Sequence, residues 1–174
     1  PAVEAAARAT KNGNIGIIAT PSTIASGAYE QALLAQNPDF RVTSQACALF
    51  VPLVENGFVD ADDPIPRLTA ERYLAPIKES GADTLILGCT HFPLLREAIH
   101  DFMGPNVRLI DSGLETAVYA AKVLGKEKLL CTRFEQPQPE FYVSDTPDGF
   151  TSVAGLFLGR NMEHAVTQID IEAY

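Results

Sequence analysis

Residues 88–91, Gly-Cys-Thr-His, set a thiol and an imidazole two positions apart where an apolar run stops. The run before them, Thr-Leu-Ile-Leu at 84–87, reads as a buried strand, and Pro93 with the periodic apolar residues after it reads as a helix. A cysteine at a helix N-terminus sits in partial positive charge, which favours thiolate, the reactive form. His91 is near enough to act as acid or base, or to steady the thiolate as its cation. Thr90 adds a hydroxyl and a backbone N–H, and free helix N–H groups suit a substrate carboxylate. Gly88 lets the backbone bend sharply or approach a ligand closely. The plainer alternative is a buried cysteine beside an exposed histidine at a cap, since free cysteine is commonly a core residue.

Other groups are candidates for the same mouth. Thr20, Ser22 and Thr23, in "ATPST", offer small hydroxyls after another apolar run, and N-capping would account for one of them. Glu55, in "VPLVENG", is either a surface acid ending a helix or, facing a cleft, a carboxylate that orients or charges a histidine. Asp111-Ser112-Gly113 reads as a helix cap. Cys47 and Cys131 have no histidine or glycine beside them and read as structural thiols. His100 and His164 sit on helical patterns among polar residues and read as surface groups. Cysteines at 47, 89 and 131, with no CxxC or HxxxH, fit neither a disulfide framework nor a zinc site. Without GxGxxG or GxxxxGK[ST], dinucleotide and P-loop chemistry has no support.

The elements that position these groups alternate. Helices are predicted over 2–11, 21–36, 67–80, 93–103 and 111–124, and residues 145–150 read as a turn or helix start followed by a helix through Phe157 to Gly159. Strands are predicted over 15–20, 40–44, 84–88, 107–110 and 140–144. The inner face of the 21–36 helix is expected to carry Ile24, Ala28, Leu33 and Leu34. Residues 47–57 read as a short helix or an irregular crossing segment, 60–66 as a proline-bearing loop, and 125–140 as a charged, then proline-rich, linker. Strand–helix alternation predicts an α/β fold with a mainly parallel sheet. Open sheets of this kind bind ligands at the carboxyl ends of their strands, which is where 20–23, 88–91 and 111–113 fall.

Composition bounds the rest. A chain of 174 residues, 47% hydrophobic, can bury a core without disulfides or metals. A net charge of −9 disfavours nucleic acid and anionic membranes as partners. No apolar stretch is long enough to span a bilayer, and reduced thiols without a signal-peptide pattern predict a cytoplasmic location. Pro1 rather than Met heads a helix-prone segment, so the chain is expected to start within a longer protein.

The segment "GADTLILGCTHFPLL" resembles the second-cysteine motif of glutamate racemases. "IGIIATPSTIASGAYE" is similar to that family's strand and Thr-x-x-Thr turn. "CALFVPLVENG" is similar to its Cys-Pro-Leu-Phe-Val-Pro-Leu-Val-Glu segment, with Ala48 in place of a proline. "FYVSDTPDGF" with the later "FLG" resembles its C-terminal strand and helix.

The resemblance implies a flavodoxin-like two-domain racemase fold and cofactor-independent interconversion of L- and D-glutamate, the D form feeding peptidoglycan. Two cysteines on opposite faces of the α-carbon exchange the proton. Carried over, Cys89 is one acid/base, His91 assists it, Glu55 supports His91, and Thr90, Thr20 and Thr23 bind substrate, with His91 also touching it. No Asp-Ser-Gly, Tyr-Gly and Ala-Cys-Asn-Thr set stands in the family's first-half order, and neither Cys47 nor Cys131 precedes Asn-Thr. The chain is therefore expected to be the C-terminal two-thirds of such an enzyme. Residues 1–110 would form its second domain and 111–174 the return to an incomplete first domain. Half a site, weak or absent activity alone, and either a homo-oligomer or association through the incomplete domain are expected. An aspartate or hydantoin racemase, a non-catalytic carboxylate-binding or interaction module, and a cysteine hydrolase using Cys89 and His91 are the alternatives.

Overall fold

The computed structural model describes residues 1–132, 139–162 and 166–173. Its chain divides into two compact units, Pro1–Leu130 and Cys131–Tyr174. The division falls inside the stretch 125–140 expected to be a linker, of which 133–138 lie outside the described residues, as does His164.

The first unit begins with helix α1 (Ala2–Ala9), rich in alanine, the best helix former. It stops at Thr10, short of the expected end, because Thr10 turns extended and its hydroxyl donates to Asp83 Oδ1 at 2.7 Å. Strand β1 (Asn14–Ala19) follows, then α2 (Pro21–Ser26) and α3 (Ala28–Gln36). The single helix predicted over 21–36 is thus broken. Gly27 takes a left-handed φ of +64°, a conformation cheap only for glycine. The break rotates the second half away from the expected register. Leu33 is buried and Ile24 half-buried, but Ala28 and Leu34 face solvent.

Strand β2 (Arg41–Ala46) leads to α4 (Phe50–Glu55), so the ambiguous 47–57 segment contains a short helix. Helix α5 (Pro64–Glu79) starts earlier than predicted. Asp63 caps it by accepting from the Ile65 N–H at 2.8 Å, and Pro64 occupies the first helical position, where its missing N–H costs nothing. The end of the expected 60–66 loop is therefore helix. Strand β3 (Thr84–Leu87), α6 (Arg96–Met103), β4 (Arg108–Asp111) and α7 (Ser112–Lys126) complete the unit. Gly125, expected to end the last helix, lies inside it; the chain turns left-handed instead at Lys128, φ 57°.

The four strands form one parallel sheet in the order β2-β1-β3-β4, the flavodoxin-like order for its first four strands. Both faces are covered. Leu85, Leu87, Ile18 and Leu109 pack with Leu74, Ile77, Phe92 and Ile99 on one side. Ile15, Ile17, Ile86 and Ile110 pack with Ala2, Ala5, Ala6 and Leu33 on the other. All four residues of β3 are buried, each leucine or isoleucine contributing roughly 1.5–3 kcal/mol of burial energy. Gly16 permits the α5 packing: a Cβ there would meet Ile77 Cγ2 at 2.5 Å and Leu85 Cδ1 at 2.9 Å.

The second unit contains β5 (Phe141–Val143), α8 (Pro147–Leu158) and β6 (Val166–Gln168). β5 and β6 pair in parallel, Phe141 opposite Val166, as a small strand–helix–strand unit. The short β6 was not expected. Gly159, φ +62°, ends α8 where predicted. Among the described residues, no helix is long and apolar enough to cross a membrane.

Candidate active site

Register brings the predicted strand ends together. Ile18 pairs with Leu87, and Leu87 with Asp111. Thr20, directly after paired Ala19, and Cys89, two residues after paired Leu87, therefore leave the sheet at the same carboxyl end, and Ser112 leaves it beside them. Gly88 is there for close packing rather than a sharp bend. Its N–H donates to Ile18 O at 2.8 Å. A Cβ on it would stand 3.0 Å from Ile18 O, 3.1 Å from Ala19 Cβ and 3.2 Å from the Tyr29 ring.

The helix expected from Pro93 is not continuous α-helix. Phe92–Leu95 forms a 3₁₀ turn, and α6 begins only at Arg96. The Phe92 N–H donates to Cys89 O at 3.2 Å and the Leu94 N–H to His91 O at 3.1 Å, while Pro93 has no N–H to give. Cys89 consequently lies in a tight turn, not at an α-helix N-terminus, and the helix-dipole argument for its thiolate does not carry over. What stands beside the thiol is an imidazole.

Cys89 Sγ lies 3.8 Å from His91 Nδ1, and Thr90 Oγ1 lies 3.4 Å from the same nitrogen. The other ring nitrogen, Nε2, is 3.2 Å from Glu55 Oε1. An ionised carboxylate can only accept, so Glu55 selects the tautomer with hydrogen on Nε2. Nδ1 is then a base facing the Cys89 thiol and the Thr90 hydroxyl. The Glu55 side chain is 49% exposed and that of His91 21%, so the pair adds little to stability. Its geometric effect is to orient the ring.

Packing explains how Glu55 arrives there. Phe50 and Val54 are buried on one face of α4. The Phe50 ring meets Tyr73 edge-on at 5.4 Å and Phe92, the residue after His91, at 5.1 Å. That contact docks the N-terminal end of α4 on the turn carrying His91, and the six-residue helix ends at Glu55. Phe50 and Phe92 are positioning residues that sequence reasoning passed over; the aromatic immediately after Gly-Cys-Thr-His was the available signal.

The remaining candidates separate. Thr20 Oγ1 accepts from the Thr23 N–H at 3.4 Å as the α2 cap, and lies 3.0 Å from Thr23 Oγ1 and 3.3 Å from Ser22 Oγ. Thr20 and Thr23 are half-buried, and Thr90 is exposed. Asp111 caps α7 by accepting from the Leu114 N–H at 3.0 Å, as expected. Ser112 does something unexpected: its hydroxyl donates to Leu87 O at 2.7 Å. Cys47 is fully buried, burial pushes its thiol up to about 12, and it faces Gln45 O at 3.7 Å; it is inert. Cys131 is exposed. His100 is at the surface, 3.8 Å from Asp101 Oδ1. No group of three or more His, Cys, Asp and Glu side chains able to hold a metal occurs among the described residues.

A sequence profile of the Asp/Glu/hydantoin racemases matches residues 1–120, which include every member of this cluster. The chain belongs to the Asp/Glu/hydantoin racemase family. Within that family it is 43% identical, over 99% of its length, to a glutamate racemase of Geobacter metallireducens, of which it covers 63%. It is 48% identical, over 92% of its length, to a glutamate racemase of Neisseria meningitidis, of which it covers 58%. The chain thus spans about three-fifths of the length of the curated relatives it matches. Among solved structures it resembles a Bacillus anthracis glutamate racemase, with TM-score 0.89, 33% identity, and coverage of 98% of this chain and 62% of that one. A Francisella tularensis glutamate racemase in complex with D-glutamate matches with TM-score 0.84 and 36% identity, over 99% of this chain and 64% of that one.

Proposed function

We propose that this chain takes part in the cofactor-independent interconversion of L- and D-glutamate, with Cys89 as the acid and base for one face of the α-carbon. The observation that carries this reading is the relay from Cys89 Sγ through His91 to Glu55 at a strand end, in a chain akin to a racemase solved with D-glutamate. His91 Nδ1 takes the thiol proton and becomes imidazolium, and the Glu55 carboxylate supports that charge. The thiolate then removes the α-proton of bound glutamate, or, in the reverse direction, the thiol returns a proton to the carbanion. An amino-acid α-proton is very weakly acidic, so the carbanion requires pre-organised donors around its carboxylate. Thr90, Thr20 and Thr23 supply hydroxyls for that task.

Inversion requires a second thiol on the opposite face. Cys47 is sealed in the core, and neither it nor Cys131 precedes Asn-Thr. The 174 residues accordingly hold one half of the site. Residues 1–110 act as the second domain of the racemase and 111–174 as its return to the first. Helix α7 exposes Leu114, Val118, Tyr119, Val123 and Leu124 around its circumference, apolar surface that drives association. D-Glutamate made at the completed site serves bacterial peptidoglycan, and the work is cytoplasmic.

The family also contains aspartate and hydantoin racemases; similarity to enzymes named glutamate racemase at 43% and 48% identity favours glutamate. The test is deuterium incorporation at the α-carbon in D₂O, followed by NMR for glutamate, aspartate and a 5-substituted hydantoin. Exchange is expected for glutamate and absent in Cys89→Ser. Faster exchange of either competitor, or exchange that survives Cys89→Ser, would refute the assignment.

A further inference from the structure

We propose that Ser112 is a positioning residue for the Cys89 thiol, acting through the peptide plane that precedes it. The proposal rests on the reading of Cys89 as an acid and base. The Leu87 carbonyl and the Gly88 N–H belong to one peptide unit. The carbonyl accepts from Ser112 Oγ at 2.7 Å, and the N–H donates to Ile18 O at 2.8 Å. Both polar groups of the plane are therefore held, by β1 on one side and by the first residue of α7 on the other.

The hydroxyl is needed because the ladder ends there. Leu87 is opposite Asp111, the last residue of β4, and the next residue is already helical. With no strand backbone continuing beside it, the Leu87 carbonyl takes a side-chain donor. A Cβ at position 88 would press on Ile18 O, Ala19 and the Tyr29 ring, so this position is held to glycine. The plane is thus held by two hydrogen bonds, and Cys89 is the first residue beyond it.

The geometry it serves is sensitive. Cys89 Sγ and His91 Nδ1 are 3.8 Å apart, at the long end for a sulfur hydrogen bond. A misplacement of about 1 Å can cost on the order of 100-fold in a positioned reaction. Ser112, Tyr29 and Thr116 border a cleft of about 240 Å³. If the hydroxyl is removed, water from this cleft can take the Leu87 carbonyl and free the plane. The cleft also leaves space for the extra methyl of threonine.

The test uses the full chain carrying Cys131→Ser, so that Cys89 is the only accessible thiol beside the buried Cys47. Iodoacetamide alkylation of Cys89 is followed by mass spectrometry across pH. Ser112→Ala is expected to shift the midpoint of the rate profile by half a pH unit or more and to slow glutamate α-proton exchange ~10-fold. Ser112→Thr is expected to restore both. If Ser112→Ala does not fold, Ser112→Thr and Ser112→Val carry the test, being alike in shape and differing in the hydroxyl. An unchanged profile in Ser112→Ala or Ser112→Val, or failure of threonine to restore it, would overturn the proposal. Because alkylation needs no turnover, a shifted profile without glutamate exchange in any variant would sink the racemase reading and leave the positioning role standing.

Discussion

Glu55 precedes His91 by 36 residues in the chain and stands 3.2 Å from its Nε2. The relay predicts that Glu55→Gln slows α-proton exchange by roughly 10-fold, because the imidazolium loses its counter-charge. Stability should change by under about 1 kcal/mol, since the pair is largely exposed. Exchange kinetics and thermal melts on the same sample check both halves, and a large loss of stability with unchanged kinetics would contradict the role. The members of this site differed in legibility for a physical reason. Cys89, Thr90 and His91 are adjacent in the chain, so their grouping was legible from residue type and spacing alone. Glu55 on its own pattern was indistinguishable from a surface acid at a helix end. What moves it to His91 is the edge-on packing of Phe50 on Phe92, a tertiary contact that no local pattern encodes. Ser112 was read as part of a cap; its neighbour Asp111 does the capping, which frees the serine hydroxyl for Leu87.

At the scale of elements, Asp83 ties the α1–β1 connection to the start of β3. It accepts from Thr10 Oγ1 at 2.7 Å, the Lys11 N–H at 2.7 Å, the Asn12 N–H at 2.9 Å and Thr84 Oγ1 at 3.0 Å. Burial pushes this carboxyl up, but the hydrogen bonds together outweigh it and hold it below its ordinary value of 3.8. A carboxyl lowered in the folded state contributes stability that is fully present above its unfolded pKa. That contribution is lost as pH falls through the lower, folded value. Wild type should therefore lose stability on acidification below pH 3.8, and Asp83→Asn should flatten that part of the curve while lowering the neutral plateau by about 2 kcal/mol. Urea titrations at a series of pH values measure it; parallel curves for the two proteins would contradict the staple. Strands were the readable part, because β1 and β3 are short apolar runs bounded by turn residues. Helix boundaries failed where one residue overrode the periodicity. Gly27 split a helix, Asp63-Pro64 started one inside a supposed loop, and a 3₁₀ turn over Phe92–Leu95 stands where an α start was expected. The strand β6, Val166–Gln168, was not read from the sequence.

At the scale of the whole molecule, the parallel sheet presents one thiol with its imidazole and carboxylate at a strand end, within a chain about three-fifths as long as the relatives it matches. The fold class followed from strand–helix alternation, but the number of catalytic faces is a property of the assembled site. One-sidedness is therefore the central claim. The direct measurement incubates the 174-residue chain separately with L- and D-glutamate in D₂O, following α-deuterium by NMR and optical sign by circular dichroism in the same tube. The account predicts deuterium entering one enantiomer only, without inversion. Deuterium in both enantiomers, inversion at the rate of an ordinary racemase, or no exchange with either would contradict it.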